Sequence, residues 1–342
     1  MSKLNTTKKA SNGKGLKKLA SDNAIYLVFA VLVIAISFWD PRFLSLTTVS
    51  NLLLQNSTKV IIALGMAFIL ITGGVDLGAG RLVGFAAVIS ASMLQNPDYA
   101  RRFFPGMPQL SVIIPVLIAI VAGIAVGIIN GVVISKFNVP AFIATLGTMV
   151  AVYGINSIYF DLPPNDSQPI GGLRADFTKL GSGYLFNFIP IVVLIAVLVI
   201  AFVWVIFNKT RLGKNMYAIG GNADAAKVSG INVGKNIIIL YAIASALFAL
   251  GGVLEAARTG GATNNYGNGY ELDAIASCVV GGVSNLGGRG TVAGVIIGVL
   301  IFGVINYGLT FIGVNPYWQQ IIKGFIIVAA VGFDIRKYVA KK

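Results

Sequence analysis

The chain has 342 residues, 56% hydrophobic and 11% charged, with a mean hydropathy of +0.83, against about 25% charged residues in an ordinary soluble domain. This excludes a water-soluble body and points to an all-α, polytopic transmembrane helical bundle, because a helix satisfies its own backbone polar groups in hydrocarbon. The formal charge of +14 is spread between the apolar runs, so it speaks for membrane topology rather than for a nucleic-acid partner.

Residues 1–23 carry six lysines and read as a basic cytoplasmic N-terminal tail. The apolar run after them lacks the small-residue cleavage pattern of a secretory signal, so 24–39 is expected to be a retained first span. Further runs follow at 57–75, 80–95, 111–134, 139–160, 187–207, 236–258, 271–283, 291–312 and 317–333. At about 20 residues per crossing, these give about ten spans, the eighth short enough for a half-helix. The expected layout is therefore a membrane domain over 24–338 and a short cytoplasmic tail at 339–342.

With the N-terminus inside, eighteen of the 26 basic residues fall on the cytoplasmic side, Arg81 and Arg289 among them. Seven fall outside, including Lys59 and Arg258, and Lys323 lies within the last span. That bias places both termini in the cytoplasm. An internal repeat supports two inverted five-span halves: GIIN at 127–130 recurs as GVIN at 303–306, and TGG at 72–74 recurs at 259–261. A rival register matches 73–81 with 281–289 and pairs segments of the same direction.

The longest polar connection between strongly apolar runs is 208–235, on the cytoplasmic side. Within it Asn222 is a suitable N-cap, residues 223–228 are mostly helix formers and Gly230 is a suitable stop. A short helix between two glycine-rich turns offers a grip for a soluble partner; a plain topology determinant is the alternative.

In ITGGVDLGAGRLVG, Asp76 stands at a membrane boundary, either as a functional carboxylate or as an exposed helix cap paired with Arg81. Asn130, Asn156, Asn264 and Asn306 place neutral amides in or near spans. They suit a pathway for uncharged polyols, and they equally suit hydrogen bonds between helices. Glu255 and Arg258 are spaced to pair, while Glu271 and Asp273 read as N-terminal helix acids at the outer mouth. No histidine is present, and the one cysteine, Cys278, lies in an apolar run. Histidine catalysis, His-ligated metals and an intramolecular disulfide are thereby removed. No catalytic or metal site is expected, and Cys278 reads as a small buried hydrophobe.

The segments TRLGKNMYAIGGNADAAKVSGINV, ITGGVDLGAGRLVG, PAFIATLGTM, ELDAIASCVVGGVSNLGGRGT and GVNPYWQQIIKG resemble those of the ribose/galactose/xylose class of ABC sugar-importer permeases. The likeness covers about 25–338. VYGINSIYFD, ATNNYGNGYELDAIA and INYGLTFIGVNPYWQ are most similar to the galactose/methyl-galactoside branch, whereas the outer loop 161–186 departs from the pattern.

The resemblance implies a multi-pass protein of the bacterial cytoplasmic (inner) membrane that works as a homodimer. Its partners would be an ABC ATPase subunit with two fused nucleotide-binding domains and an extracytoplasmic sugar-binding protein. ATP and Mg would be bound by that ATPase, since the chain has no GxxxxGK[ST] loop and itself needs no cofactor. It further implies an ATPase-coupling loop with Arg211, Gly213, Gly220, Gly221, Asn222, Ala225, Ala226 and Gly230. Asp76, Asn130, Thr145, Asn156, Asn264 and Asn306 become candidates for the translocation path of a monosaccharide. Ribose, xylose or nucleoside transport within the class, and an ion-coupled secondary transporter, are the alternatives.

Overall fold

The computed structural model describes residues 24–186 and 188–339; the basic tail 1–23 and residues 340–342 lie outside the described residues. Thirteen α-helices dominate: α1 (Ala24–Trp39), α2 (Leu46–Ile71), α3 (Ala79–Met93), α4 (Ile113–Lys136), α5 (Ala141–Phe160), α6 (Ala175–Ser182), α7 (Ile191–Lys209), α8 (Arg211–Gly221), α9 (Ala223–Val228), α10 (Val233–Thr259), α11 (Tyr270–Val280), α12 (Val292–Phe311) and α13 (Pro316–Val339). One departure from an all-α fold is the hairpin of β1 (Tyr184–Leu185) and β2 (Ile189–Pro190). Each of the ten apolar runs contains a helix, and α2, α4, α5, α7, α10 and α12 are long and apolar enough to cross a membrane.

Local chemistry sets several helix ends. Ser45, Thr291 and Asn232 cap α2, α12 and α10 by accepting the backbone N–H of Thr48, Gly294 and Lys235. Gly260, at φ +73°, ends α10 in the left-handed conformation that glycine tolerates best. The exposed faces of two of these helices are apolar: α4 exposes Ile114, Leu117, Ile118 and Val121, and α7 exposes Val197, Leu198 and Phe202.

Helix α10 is the spine. Its 27 residues span about 40 Å at 1.5 Å per residue, and α2, α3, α4 and α6 all pack on it. Small residues set these crossings: Gly65 lies on Ala244 and Phe248, Gly123 on Ser245 and Ala249, Gly131 on Ile238, Gly251 on Ile62, and Gly252 on the Val83 backbone. The order of these contacts makes both α2 and α4 antiparallel to α10. Contacts of Gly294 with Gly281 and of Gly298 with Ser277 make α12 antiparallel to α11.

Helix pairings come in matched sets across the two halves: α4 on α10 with α12 on α2, α3 on α10 with α11 on α2, and α3 on α5 with α11 on α13. The segments that form the rival register touch one another, Gly73 lying against Leu286 and Gly287.

Because a Cβ at Gly252 would strike the Val83 backbone, Gly252→Leu is expected to destabilise the protein by about 1–3 kcal/mol. Gly147→Leu, at a glycine with open space around it, should leave stability unchanged. Thermal unfolding of the detergent-solubilised variants checks both.

Candidate functional site

Helices α3 and α11, of 15 and 11 residues, are shorter than a crossing needs, and both start inside the bundle. Val83, near the start of α3, packs on Gly252, about 28 Å along α10 from Val233. Residues 72–78 therefore run as non-helical chain from the end of α2 to that depth. In the other half, residues 260–269 run back from the end of α10, and Gly267 and Glu271 meet Gly80. The N-termini of α3 and α11 thus lie side by side within the bundle, where their dipoles favour negative charge.

Side chains satisfy the backbone freed by these two breaks, as burial demands. Asp76, 2% exposed, accepts the Gly78 N–H through Oδ1 at 2.7 Å. Thr145 Oγ1 on α5 accepts the Leu77 N–H at 3.2 Å. In the second break, Asn156 Nδ2 donates to the Asn264 carbonyl at 3.4 Å and Asn264 Nδ2 donates to Ser157 Oγ at 3.2 Å. Arg81 reaches across with Nη1 on Asn265 Oδ1 and Nη2 on Asn268 Oδ1, each at 3.1 Å, its guanidinium 4.3 Å from the Tyr153 ring centre.

The expected cytoplasmic position of Arg81 is therefore corrected: it joins the connection that had been assigned to the opposite side, and it does not pair with Asp76. Lys59, expected outside, lies within α2 beside a small cavity shared with Asp273 and Asn306. Sequence reasoning missed Arg81 because it read α3 as a full span, whereas the unwound 72–78 segment shifts α3 deeper, and it missed Lys59 because it started the second span at 57, whereas α2 starts at Leu46 and holds Lys59 in its middle.

The six path candidates do not form one lining. Asp76, Asn130, Thr145 and Asn156 are buried, while Asn264 and Asn306 are half-buried. Asn130 and Asn156 each bury an Oδ1 with no hydrogen-bond donor among the described residues.

Glu255 and Arg258 pair as their spacing predicts, at 2.7 Å, and Glu255 also accepts from Thr58 Oγ1 at 2.8 Å and Tyr270 OH at 3.1 Å. Asp273 is not a solvated helix acid: it pairs with Lys323 at 2.8 Å, tying α13 to α11. Cys278 is fully buried, as expected of a small hydrophobe, with Sγ 3.2 Å from the Ala63 carbonyl.

At the other end of α10, the 208–235 connection folds as two helices. Helix α9 has the predicted bounds, with Asn222 Oδ1 accepting the Ala225 N–H at 2.9 Å and Gly230 at φ +84°. The first of the two expected glycine-rich turns is instead helical, forming α8, which starts with exposed Arg211 and buries Met216 and Ile219 on the bundle. Glycine is needed there for close approach: Gly213 lies on the backbone of Ile206 and Phe207, and Gly220 on that of Ile71 and Gly288. Gly221 faces open space. On α9 Ala226 is buried, Ala225 is exposed, and Val228 is 90% exposed.

The outer loop carries α6 and is stitched to the bundle. Leu173 bridges to Gln95 and Ile170 to Ala262, and Gly181 packs on Arg258.

The family described as "Branched-chain amino acid transport system / permease component" matches residues 48–331. The chain is 52% identical over 339 residues to the galactose/methyl galactoside import permease protein MglC of Escherichia coli, covering 97% of this chain and 99% of that protein. It is 53% identical over 330 residues to the protein of the same name in Haemophilus influenzae, covering 95% and 97%. It is 37% identical over 314 residues to the ribose import permease protein RbsC of Bacillus subtilis, covering 91% and 92%. No solved structure matches.

Removing the Asp76 carboxylate strands a buried N–H, so Asp76→Ala is expected to cost about 1–3 kcal/mol of stability. Asp76→Asn keeps an acceptor for the Gly78 N–H and should lose less stability than Asp76→Ala. Apparent Tm values of the purified variants check the pair.

Proposed function

Because the chain belongs to the branched-chain amino acid transport system permease family, we propose that it is the membrane-spanning permease of an ATP-binding-cassette importer, carrying galactose or methyl galactoside into a bacterial cytoplasm across the inner membrane. The observation that carries this reading is identity over nearly the full length of proteins named for that transport. It is a transport subunit, not an enzyme.

Ten spans in two inverted five-helix halves, with both termini cytoplasmic, fit the antiparallel pairing of α2 with α10 and the matched helix contacts. A second copy completes the path between the two chains. The ATPase, with two fused nucleotide-binding domains, binds ATP and Mg, and a sugar-binding protein docks on the outer face.

The 208–235 connection serves as the coupling loop. Exposed Val228 enters a groove of the ATPase, and closure of the nucleotide-binding domains pushes on α9. Helix α8 passes that push to the end of α2 and the start of α12, which meet it at Gly220 and Tyr217, the Tyr217 hydroxyl donating to the Gly290 carbonyl at 2.8 Å. The membrane helices then switch the path between outside-open and inside-open. Asp76 and Thr145 act in that switch by holding the 72–78 break.

A second reading, an ion-coupled transporter, draws on the charged residues inside the bundle, Lys59, Glu255, Asp273 and Lys323. The pairing of Asp273 with Lys323 and of Glu255 with Arg258 favours a structural role for both carboxylates, since an ion-coupling site needs a carboxylate that exchanges its partner.

ATP-dependent uptake of labelled galactose is expected in cells carrying the chain with its ATPase and binding protein. Methyl galactoside should block that uptake, and deletion of the chain should abolish it. Uptake that collapses with an ionophore but survives ATP depletion would install the second reading. Val228→Asp and Gly221→Leu should each lower uptake at least about tenfold, the loss of one well-packed anchor, while ATPase activity persists. Gly220→Leu, by contrast, should lower the amount of folded protein.

A further inference from the structure

At the meeting of α3 and α11 a polar cluster of exposed and half-buried residues opens to the surface: Arg81, Tyr153, Asn265, Asn268 and Glu271. Asn265 and Asn268 are exposed and Tyr153 is 38% exposed. On α5 the neighbouring turns expose Leu146 and Val150, so this polar patch is set in an apolar surface at membrane depth. A guanidinium and two carboxamides facing hydrocarbon would be costly. The surface they occupy must therefore meet water.

The hydrogen bonds orient the patch. Arginine has donors only, so its bonds to Asn265 and Asn268 fix the Oδ1 of each amide toward Arg81. Both Nδ2 groups then point away from the guanidinium as free donors, with no bond to another side chain among the described residues. The Arg81 stack holds one face of the Tyr153 ring and leaves the edge and hydroxyl outward. Two outward amide donors, an aromatic ring and the nearby Glu271 carboxylate suit an uncharged polyhydroxyl compound: hydroxyl oxygens accept from Nδ2, and a hydroxyl donates to the carboxylate. Two of the five guanidinium N–H donors are held by the amides, and the Glu271 carboxylate, beside Gly80, repels an anion.

Resting on the importer reading above, we propose that Asn265, Asn268 and Tyr153 line the aqueous translocation path and form its sugar-contacting station, with Arg81 as the positioning residue. The buried Thr145 and Asn156 then act behind it as hydrogen bonds at the two breaks.

Two experiments on the complete transporter test this. Buried Cys278 gives an unreactive background, so Asn265→Cys, Asn268→Cys and Tyr153→Cys variants can be probed with a charged, membrane-impermeant methanethiosulfonate. All three should be modified, uptake should then fall at least about tenfold, and galactose present during turnover should slow the modification. Val197→Cys, on the apolar face of α7, should stay unmodified. Failure to modify the Asn265 and Asn268 variants while they still transport, or modification at a rate that galactose leaves unchanged, would overturn the proposal.

The second experiment separates recognition from folding. Asn268→Asp keeps an acceptor for Arg81 and so preserves the structural contact, but it removes the outward donor. Uptake should fall about fivefold, the value of one hydrogen bond, with thermal stability retained. Full uptake in both Asn265→Asp and Asn268→Asp would refute the sugar contact. Galactose uptake by the unmodified complex is measured alongside; its absence would refute the importer reading on its own, whereas the thiol data report on the path directly.

Discussion

In hydrocarbon every backbone N–H and C=O must find a partner within the protein, and this chain breaks its helices twice inside the bundle. Residues 72–78 and 260–269 leave the helical ladder at the depth where α3 and α11 begin, so their polar groups must be met by side chains and by each other. Asp76 and Thr145 do this for the first break. Asn156 does it for the second by donating to the Asn264 carbonyl, while Asn264 and the Arg81 fork tie side chains across it. The same interruption brings amides and a guanidinium to an accessible surface.

The spine α10 makes those breaks tolerable. Glycine and alanine at its crossings bring α2, α3 and α4 close, and dispersion between close-packed backbones supplies the cohesion that lipid-exposed surfaces cannot. Near its C-terminal end, Glu255 is a hub whose carboxylate takes bonds from Arg258, Thr58 and Tyr270. Helices from both halves are thereby bound at one point. Charges in such a place are tolerated because they are paired and fully hydrogen-bonded.

At the opposite end, α8 lies across the bundle rather than beside it. Gly220 touches both Ile71 and Gly288, and the Gly288 N–H donates to the Ile71 carbonyl at 2.8 Å. One residue thus joins the end of α2, the loop before α12 and the connection carrying α9. A displacement of α9 has a direct mechanical route into both halves, because packed backbones transmit rather than absorb strain.

Much of this could be read from the chain. Ten apolar runs became ten helices because hydrocarbon length and hydropathy are local properties. The bounds of α9 followed from Asn222 and Gly230, since capping depends only on neighbouring residues. The spacing of Glu255 and Arg258 foretold their pair for the same reason. Depth, however, is not local. Whether 72–78 unwinds, and so whether Arg81 lies at a membrane edge or beside Asn265 and Asn268, depends on contacts almost two hundred residues away. The same holds for Gly220, which reads as a turn residue until Ile71 and Gly288 occupy the space where a side chain would be. The sequence by itself determined a helical membrane protein and the short helix α9, because periodicity, capping and composition act over a few residues. Only the tertiary structure decided which amides are buried and which face water, because exposure is set by what the rest of the chain leaves uncovered.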